Sequence, residues 1–307
     1  MTWRVDTLAI VGVGLIGGSL ALALKEARAV GHVLGVGRSK ANLDEALQLG
    51  IIDRVVPIEA AARADIVFVA TPVAQMPAVF ATLAPHLAGH TIVTDGGSTK
   101  QDVIAAARQA FGAGFNRFVA AHPIAGTEST GARAAFPTLY RERKVVLCTD
   151  GSSSAAAQQQ VESLWRATGA EIHRMRAVEH DDIFAAVSHL PHLLAFALVD
   201  MLAATPAADT YFRYAASGFR DFTRIAASSP EMWRDISLAN RVALRAQLAA
   251  YRERLDDFDR WLGAAGSADV AAIERAYQRA ATARRAWQRH IEHGEPMPKL
   301  TTGGTEE

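Results

Sequence analysis

The chain has 307 residues, 32 Lys+Arg against 32 Asp+Glu, 50% hydrophobic residues and one cysteine. That length and composition suit two domains with sizeable cores and exclude an intrinsically disordered chain. Zero net charge excludes a global attraction to nucleic acid or to a membrane surface, and the lone Cys148 excludes an intramolecular disulfide or a multi-cysteine metal cluster. Runs rich in Val and Ile predict strands over 7–13, 32–37, 64–71, 91–95, 117–121 and 144–149. Helical patterns fall between several of them, over 16–27, 40–49, 76–87 and 100–111. Such alternation needs crossover connections, so the sheet is mostly parallel and covered on both faces. A turn at 151–154 leads into a helix over 155–168, and 171–175 reads as a last, edge strand. After Arg176 the strands stop. Helices follow over 178–204, interrupted at Pro191, and over 211–227, 230–262 and 268–291. The expected organisation is an α/β domain over 1–175, a helical domain over 176–293 and a mobile tail over 294–307.

Two apolar stretches have the composition of membrane segments. The first, 8–24, carries four glycines near its middle, and Asp6 beside Arg4 spoils a basic leader. The second, 183–204, carries His189, Pro191, His192 and Asp200, which are costly in lipid. Both are expected to be soluble elements, the second a buried helix. The single cysteine points to a reducing, cytoplasmic compartment.

Gly12-Val13-Gly14-Leu15-Ile16-Gly17 directly follows the first predicted strand and opens a helix. In that context the pattern is a dinucleotide fingerprint. Gly12 permits the tight turn, Gly14 lets the backbone approach a pyrophosphate, and Gly17 lets helix and strand pack closely. The helix start, with Leu15 and Ile16, offers free N–H groups to the phosphates. The second strand ends in Gly37-Arg38-Ser39-Lys40, where an NAD site usually places a carboxylate for the ribose. A guanidinium and a hydroxyl there suit a 2′-phosphate, so NADP is expected in preference to NAD, through Arg38 and Ser39. Thr71 and Pro72, at a strand end, border the same crevice.

Further motifs follow in order. Asp95-Gly96-Gly97-Ser98-Thr99-Lys100 and His122-Pro123-Ile124-Ala125-Gly126-Thr127-Glu128 each follow a strand. Ser188-His189-Leu190-Pro191-His192 lies in the first long helix. Gly218 to Ala226 (GFRDFTRIA) leads to Pro230-Glu231-Met232-Trp233-Arg234-Asp235-Ile236 and Asn240. With the glycine fingerprint, this series resembles the prephenate/arogenate dehydrogenase family of tyrosine biosynthesis, from about Thr7 to about Asn240. The resemblance implies a Rossmann-type dinucleotide-binding domain followed by an all-α helical dimerisation domain, and a homodimer. It implies oxidation of the 4-hydroxyl of a cyclohexadienol with NAD(P) and loss of the ring carboxylate as CO2. The product is 4-hydroxyphenylpyruvate from prephenate or tyrosine from arogenate.

The resemblance assigns His122 as the proton acceptor, which suits an imidazole near pH 7, and Ser98 as its hydrogen-bonding serine. Arg224 matches the arginine that grips the ring carboxylate; a helical ion pair with Asp221 is its alternative role. Ser188, His189, His192, Thr127, Glu128, Arg220 and Trp233 match substrate-pocket positions, and His180 a pocket or supporting one. His189 and His192, three apart, share a helix face, with no carboxylate or thiol partner to suggest a metal. Two departures stand out: the acidic ribose residue is missing, and Arg220 stands where some relatives have lysine. The segment after Ile291 is too short for a regulatory amino-acid-binding domain, so tyrosine inhibition is expected to be competitive. A dehydrogenase of 3-hydroxy acids or imines shares this architecture but depends on a helical-domain lysine, and no lysine occurs between Lys144 and Lys299. A non-catalytic nucleotide sensor would not need His122, His189, His192 and Arg224.

Overall fold

The computed structural model describes residues 3–127, 129–149, 151–264 and 266–296. Among the described residues an eight-stranded sheet runs in the order β3-β2-β1-β4-β5-β6-β7-β8. Its strands are β1 (Val5–Val11), β2 (Val30–Val36), β3 (Arg54–Val55), β4 (Ile66–Val69), β5 (Ile92–Asp95), β6 (Phe118–Pro123), β7 (Lys144–Cys148) and β8 (Glu171–Met175). The first six are parallel; β7 runs antiparallel to β6, and β8 parallel to β7. The short β3 carries no sequence signal, since both of its residues are exposed.

Helices α1 (Leu15–Glu26), α2 (Lys40–Gln48), α3 (Ile58–Ala61), α4 (Met76–Leu83), α5 (Gln101–Phe111) and α6 (Ala155–Ala167) accompany the sheet. Side chains alternate across the strands, so one sequence builds two cores. Leu8, Ile10 and Phe68 pack on one face around Trp165, while Ala9, Val11, Val67 and Val69 pack on the other with Phe80 and Phe118. Trp165 meets Phe68 and Tyr140 edge-on at 5.5 and 5.1 Å between centroids.

Beyond β8 the chain is helical: α7 (Ala177–Phe184), a π-helical turn (Ala185–His189), α8 (Leu190–Ala203), α9 (Ala208–Tyr214), α10 (Ser217–Thr223), α11 (Pro230–Ala239), α12 (Arg241–Ala264) and α13 (Ser267–His293). The kink or break expected at Pro191 takes the form of a π-helical turn immediately before it; the chain stays helical from Ala177 to Ala203, and the wider turn accommodates the proline's missing N–H. Two expected single helices are each divided. Residues 215–216 separate α9 from α10. Asn240 separates α11 from α12, with its side chain turned inward onto the Asp181 carbonyl.

Two compact units divide after Arg245, and 176–245 belong to the unit that contains the sheet. In the second unit Phe258 of α12 stacks on Tyr277 of α13 at 5.5 Å. Of the tail expected to be mobile, 297–307 lie outside the described residues. The stretch Ala177–Ala203 is long and apolar enough to cross a membrane by length and composition alone. The expectation of a buried helix there is corrected: 28% of its apolar window is buried in the single chain, and Val178, Ile183, Val187 and Met201 are exposed.

Candidate active site

Because β1, β4, β5 and β6 are parallel neighbours, their C-terminal ends reach one edge of the sheet. That edge gathers the glycine turn after β1, Thr71 and Pro72 after β4, the loop 96–100 after β5, and His122 near the end of β6. Crevices of this kind hold ligands in open α/β sheets.

The glycine turn fits a dinucleotide by its stereochemistry. Gly12 adopts φ +99°, and a Cβ there would lie 2.8 Å from the Ala70 carbonyl oxygen. A Cβ on Gly17 would lie 2.4 Å from the Gly12 carbonyl oxygen and 2.6 Å from Ile10 Cγ2. Gly14 faces open space, with nothing within 4 Å of the equivalent position. Among the described residues no side chain caps α1, which leaves its first N–H groups for an anion. Leu15 is buried, and the Ile16 carbonyl accepts the Tyr140 hydroxyl at 2.6 Å. Thr71 Oγ1 is buried with no partner among the described residues.

At the end of β2, Ser39 Oγ caps α2 by accepting from Asn42 N at 3.3 Å, and Lys40 pairs with Asp44 at 2.7 Å. Arg38 is exposed and has no hydrogen bond or ion pair among the described residues.

Beneath the loop after β5, Asp95 and Lys100 form a fully buried ion pair. Lys100 Nζ also donates to the Ala121 carbonyl at 2.8 Å, and Asp95 Oδ1 accepts from Ala121 N at 3.1 Å. The pair clamps the strand segment that presents His122. His122 Nδ1 lies 2.7 Å from His180 Nε2, and His180 Nδ1 lies 2.8 Å from Asp181 Oδ1. Phe184 packs edge-on against His122 at 4.9 Å. Burial, then the charges of His180, Lys100 and His189, hold His122 well below the usual histidine value of 6.5. Burial raises Asp181, but hydrogen bonds from His180 and from the backbone of Gln101 and Lys100 outweigh it and leave Asp181 below the ordinary carboxyl value.

A second cluster forms around Trp233 of α11. The His192 ring stacks on the indole, 3.5 Å between centroids and 19° between planes, and His189 meets it edge-on at 6.1 Å. His192 Nδ1 donates to the Ser188 carbonyl at 2.8 Å. Trp233 Nε1 is buried with no partner among the described residues. Burial brings His189 down to about 4. Burial also lowers His192, and the nearby Arg224 charge adds to that.

Two family descriptions match: prephenate dehydrogenase, nucleotide-binding domain, over 20–174, and prephenate dehydrogenase, dimerization domain, over 176–273. The chain belongs to the prephenate dehydrogenase family. The prephenate dehydrogenase of Bacillus subtilis is 36% identical over 84% of this chain and 67% of its own length. The cyclohexadienyl dehydrogenase of Zymomonas mobilis is 37% identical over 77% of this chain and 82% of its own. The crystal structure of prephenate dehydrogenase from A. aeolicus, in complex with hydroxyphenyl propionate and NAD+, has a TM-score of 0.83 at 32% identity. It covers 92% of this chain and 99% of that one.

Against the sites expected from the family resemblance, the geometry is uneven. His122 is where a strand-end base should be, but the partner on its Nδ1 is His180, not Ser98. Ser188, His189, His192 and Trp233 come together in one cluster. Arg220 pairs with Asp221 at 3.3 Å, both exposed, which leaves Arg224 without an ion pair among the described residues. The alternative Arg224–Asp221 pair is therefore not formed. Thr127 lies on an exposed loop, where its hydroxyl accepts from Ser129 N at 3.3 Å. Glu128 lies outside the described residues. Asp181 was not legible as a site residue, because the family motifs bracket it without including it.

Proposed function

We propose that this prephenate dehydrogenase family member oxidatively decarboxylates prephenate and/or arogenate, with hydride transfer from ring C4 to NAD(P)+. The product is 4-hydroxyphenylpyruvate or tyrosine, with CO2. The observation that carries this reading is His122, an imidazole kept neutral by burial at the sheet edge that also holds the glycine turn. A neutral imidazole near pH 7 accepts the 4-hydroxyl proton as the hydride leaves.

The nucleotide cradle is Gly12, Gly14, Leu15, Ile16 and Gly17, with Thr71 and Pro72 across the crevice; a bound nicotinamide supplies the hydride acceptor. Arg38 and Ser39 take a 2′-phosphate, which makes NADP+ the preferred form. Arg38 is uncommitted among the described residues and can fork onto phosphate oxygens. Ser98 serves the cofactor side of His122. Arg224 grips the ring carboxylate, since Asp221 is already engaged by Arg220. Ser188, His189, His192, Trp233, Thr127, Glu128 and Arg220 form the substrate wall.

Residues 176–293 form the substrate and dimerisation domain of a homodimer, and a second copy covers the exposed apolar flank of Ala177–Ala203. The buried Cys148 thiol, pushed up to about 12 by burial, suits a cytoplasmic protein without disulfides. Steady-state rates with prephenate and with arogenate, each with NAD+ and NADP+, test the reading. Turnover with neither substrate overturns it, and a clear NAD+ preference overturns the role given to Arg38.

A further inference from the structure

Asp181 carries a set of contacts that the proposed reaction has not yet used. Its Oδ1 accepts from Lys100 N at 2.8 Å, and its Oδ2 accepts from Gln101 N at 3.0 Å and Gln101 Nε2 at 3.1 Å. The first two donors sit at the start of α5, where free N–H groups and the helix dipole favour an anion. Every contact on this carboxylate is therefore one it must accept. The remaining contact, from His180 Nδ1 to Oδ1, follows the same rule: His180 Nδ1 carries the hydrogen.

The hydrogen count then propagates. A neutral His180 with Nδ1–H has a bare Nε2. That nitrogen lies 2.7 Å from His122 Nδ1, so His122 donates there. A neutral His122 that donates from Nδ1 has a bare Nε2. We propose that Asp181 and His180 are positioning residues for His122, holding it in the tautomer whose Nε2 receives the substrate hydroxyl proton and sharing the charge that then forms. The proposal rests on His122 as the base. In the step, the hydroxyl proton moves to His122 Nε2, the C4 hydride leaves to the nicotinamide, and the Nδ1 hydrogen stays in its bond to His180. The imidazolium is linked through His180 to a carboxylate already anchored on α5.

The charged and titratable groups around the chain come from each neighbouring element. Asp95 on β5 and Lys100 at the start of α5 form a buried ion pair; both charges act on His180, and that of Lys100 also on His122. Asp102 on α5 is raised by burial, and the Asp181 charge adds to that. His189 on the π turn is held neutral by burial. Asp181 is thus the carboxylate bonded into the histidine chain itself.

The test uses the enzyme with prephenate and NADP+. In Asp181→Asn the amide group must face either Lys100 N or Gln101 N, both donors. Turning its nitrogen toward His180 reverses both tautomers and leaves His122 Nε2 protonated. The expected result is a kcat fall of about 10²-fold or more, on the scale of losing a general base, with cofactor KM changed less than threefold. The acid limb of kcat/KM also moves to lower pH, since the imidazolium loses its carboxylate. A second pair of variants guards against misfolding. His180→Gln can still accept from His122 Nδ1 and should keep at least tenfold more kcat than His180→Leu, which cannot. Asp181→Asn with kcat within threefold of wild type and an unmoved acid limb overturns the proposal, as do equal rates for the two His180 variants. If His122→Asn also keeps full turnover, the reading of His122 falls instead; if it is inactive while Asp181→Asn is not, only the present inference falls.

Discussion

Asn240 and His189 meet at 3.1 Å, amide Nδ2 to ring Nδ1. An amide nitrogen donates and does not accept, so His189 Nδ1 is the acceptor and its hydrogen sits on Nε2. The same amide donates to the Asp181 carbonyl at 2.7 Å. Asn240 thereby ties the break between α11 and α12 to the residue beside His180, and gives His189 the tautomer opposite to that argued for His122. Asn240→Leu removes both donations. His189 Nδ1 loses its donor while the Asp181 carbonyl keeps its helix bond from Ala185 N, so stability should fall by about 1–3 kcal/mol. Urea denaturation checks this, and an unchanged midpoint contradicts it.

Acidification should destabilise the fold through its neutral histidines. His189 is lowered to about 4 in the folded protein, against 6.5 when free. Between those values the unfolded chain binds the proton and the folded chain does not, so stability falls as pH falls through that window. The slope reaches about 1.4 kcal/mol per pH unit for each such histidine. His122 and His180 are lowered in the same direction. Asp181, held below its ordinary value of 3.8, adds in the same sense, but only once the pH falls to that value and below. Denaturation midpoints measured from pH 7.5 to 4.5 should drop steadily, and His189→Gln should flatten the drop if it folds; a flat wild-type profile contradicts the assignment.

Gly14 and Gly17 should separate binding from folding. Gly14→Ala adds a methyl into open space, so its melting temperature should stay within a degree or two while cofactor KM rises tenfold or more. Gly17→Ala drives a methyl into the Gly12 carbonyl oxygen and Ile10, so it should lose stability outright. Thermal melts with cofactor titrations distinguish the two. Equal behaviour contradicts the reading of the turn.

Arg38→Ala should raise the KM for NADP+ by an order of magnitude or more, as expected for loss of a charge-assisted phosphate contact. The KM for NAD+ should change less than threefold. Parallel kinetics with both cofactors decide the matter, and an unchanged NADP+ KM removes Arg38 from the site.

The parts of the fold that were legible are those written in local pattern. The strands stand within a few residues of their expected bounds because Val- and Ile-rich runs end at Gly, Asp or Thr. The glycine turn is legible because Gly12 and Gly17 answer steric demands of the fold and Gly14 leaves open space for a ligand. The histidine chain is different in kind. His122 on β6 and His180 on α7 meet only through tertiary packing, and no spacing announces the contact. The π-helical form of the turn at Ala185–His189 and the break at Asn240 were also hidden, because each replaces helical bonding with contacts from elsewhere in the chain. Arg220 and Arg224 read alike in sequence, and their difference emerges only once Asp221 chooses Arg220.

The central claim is that His122 accepts the substrate proton. Initial rates of reduced-cofactor formation from prephenate, for wild type and His122→Asn side by side, test it most directly. The account predicts a fall in kcat of about 10²- to 10⁴-fold, the range for loss of a general base, with cofactor binding retained. Turnover by His122→Asn within fivefold of wild type would contradict it.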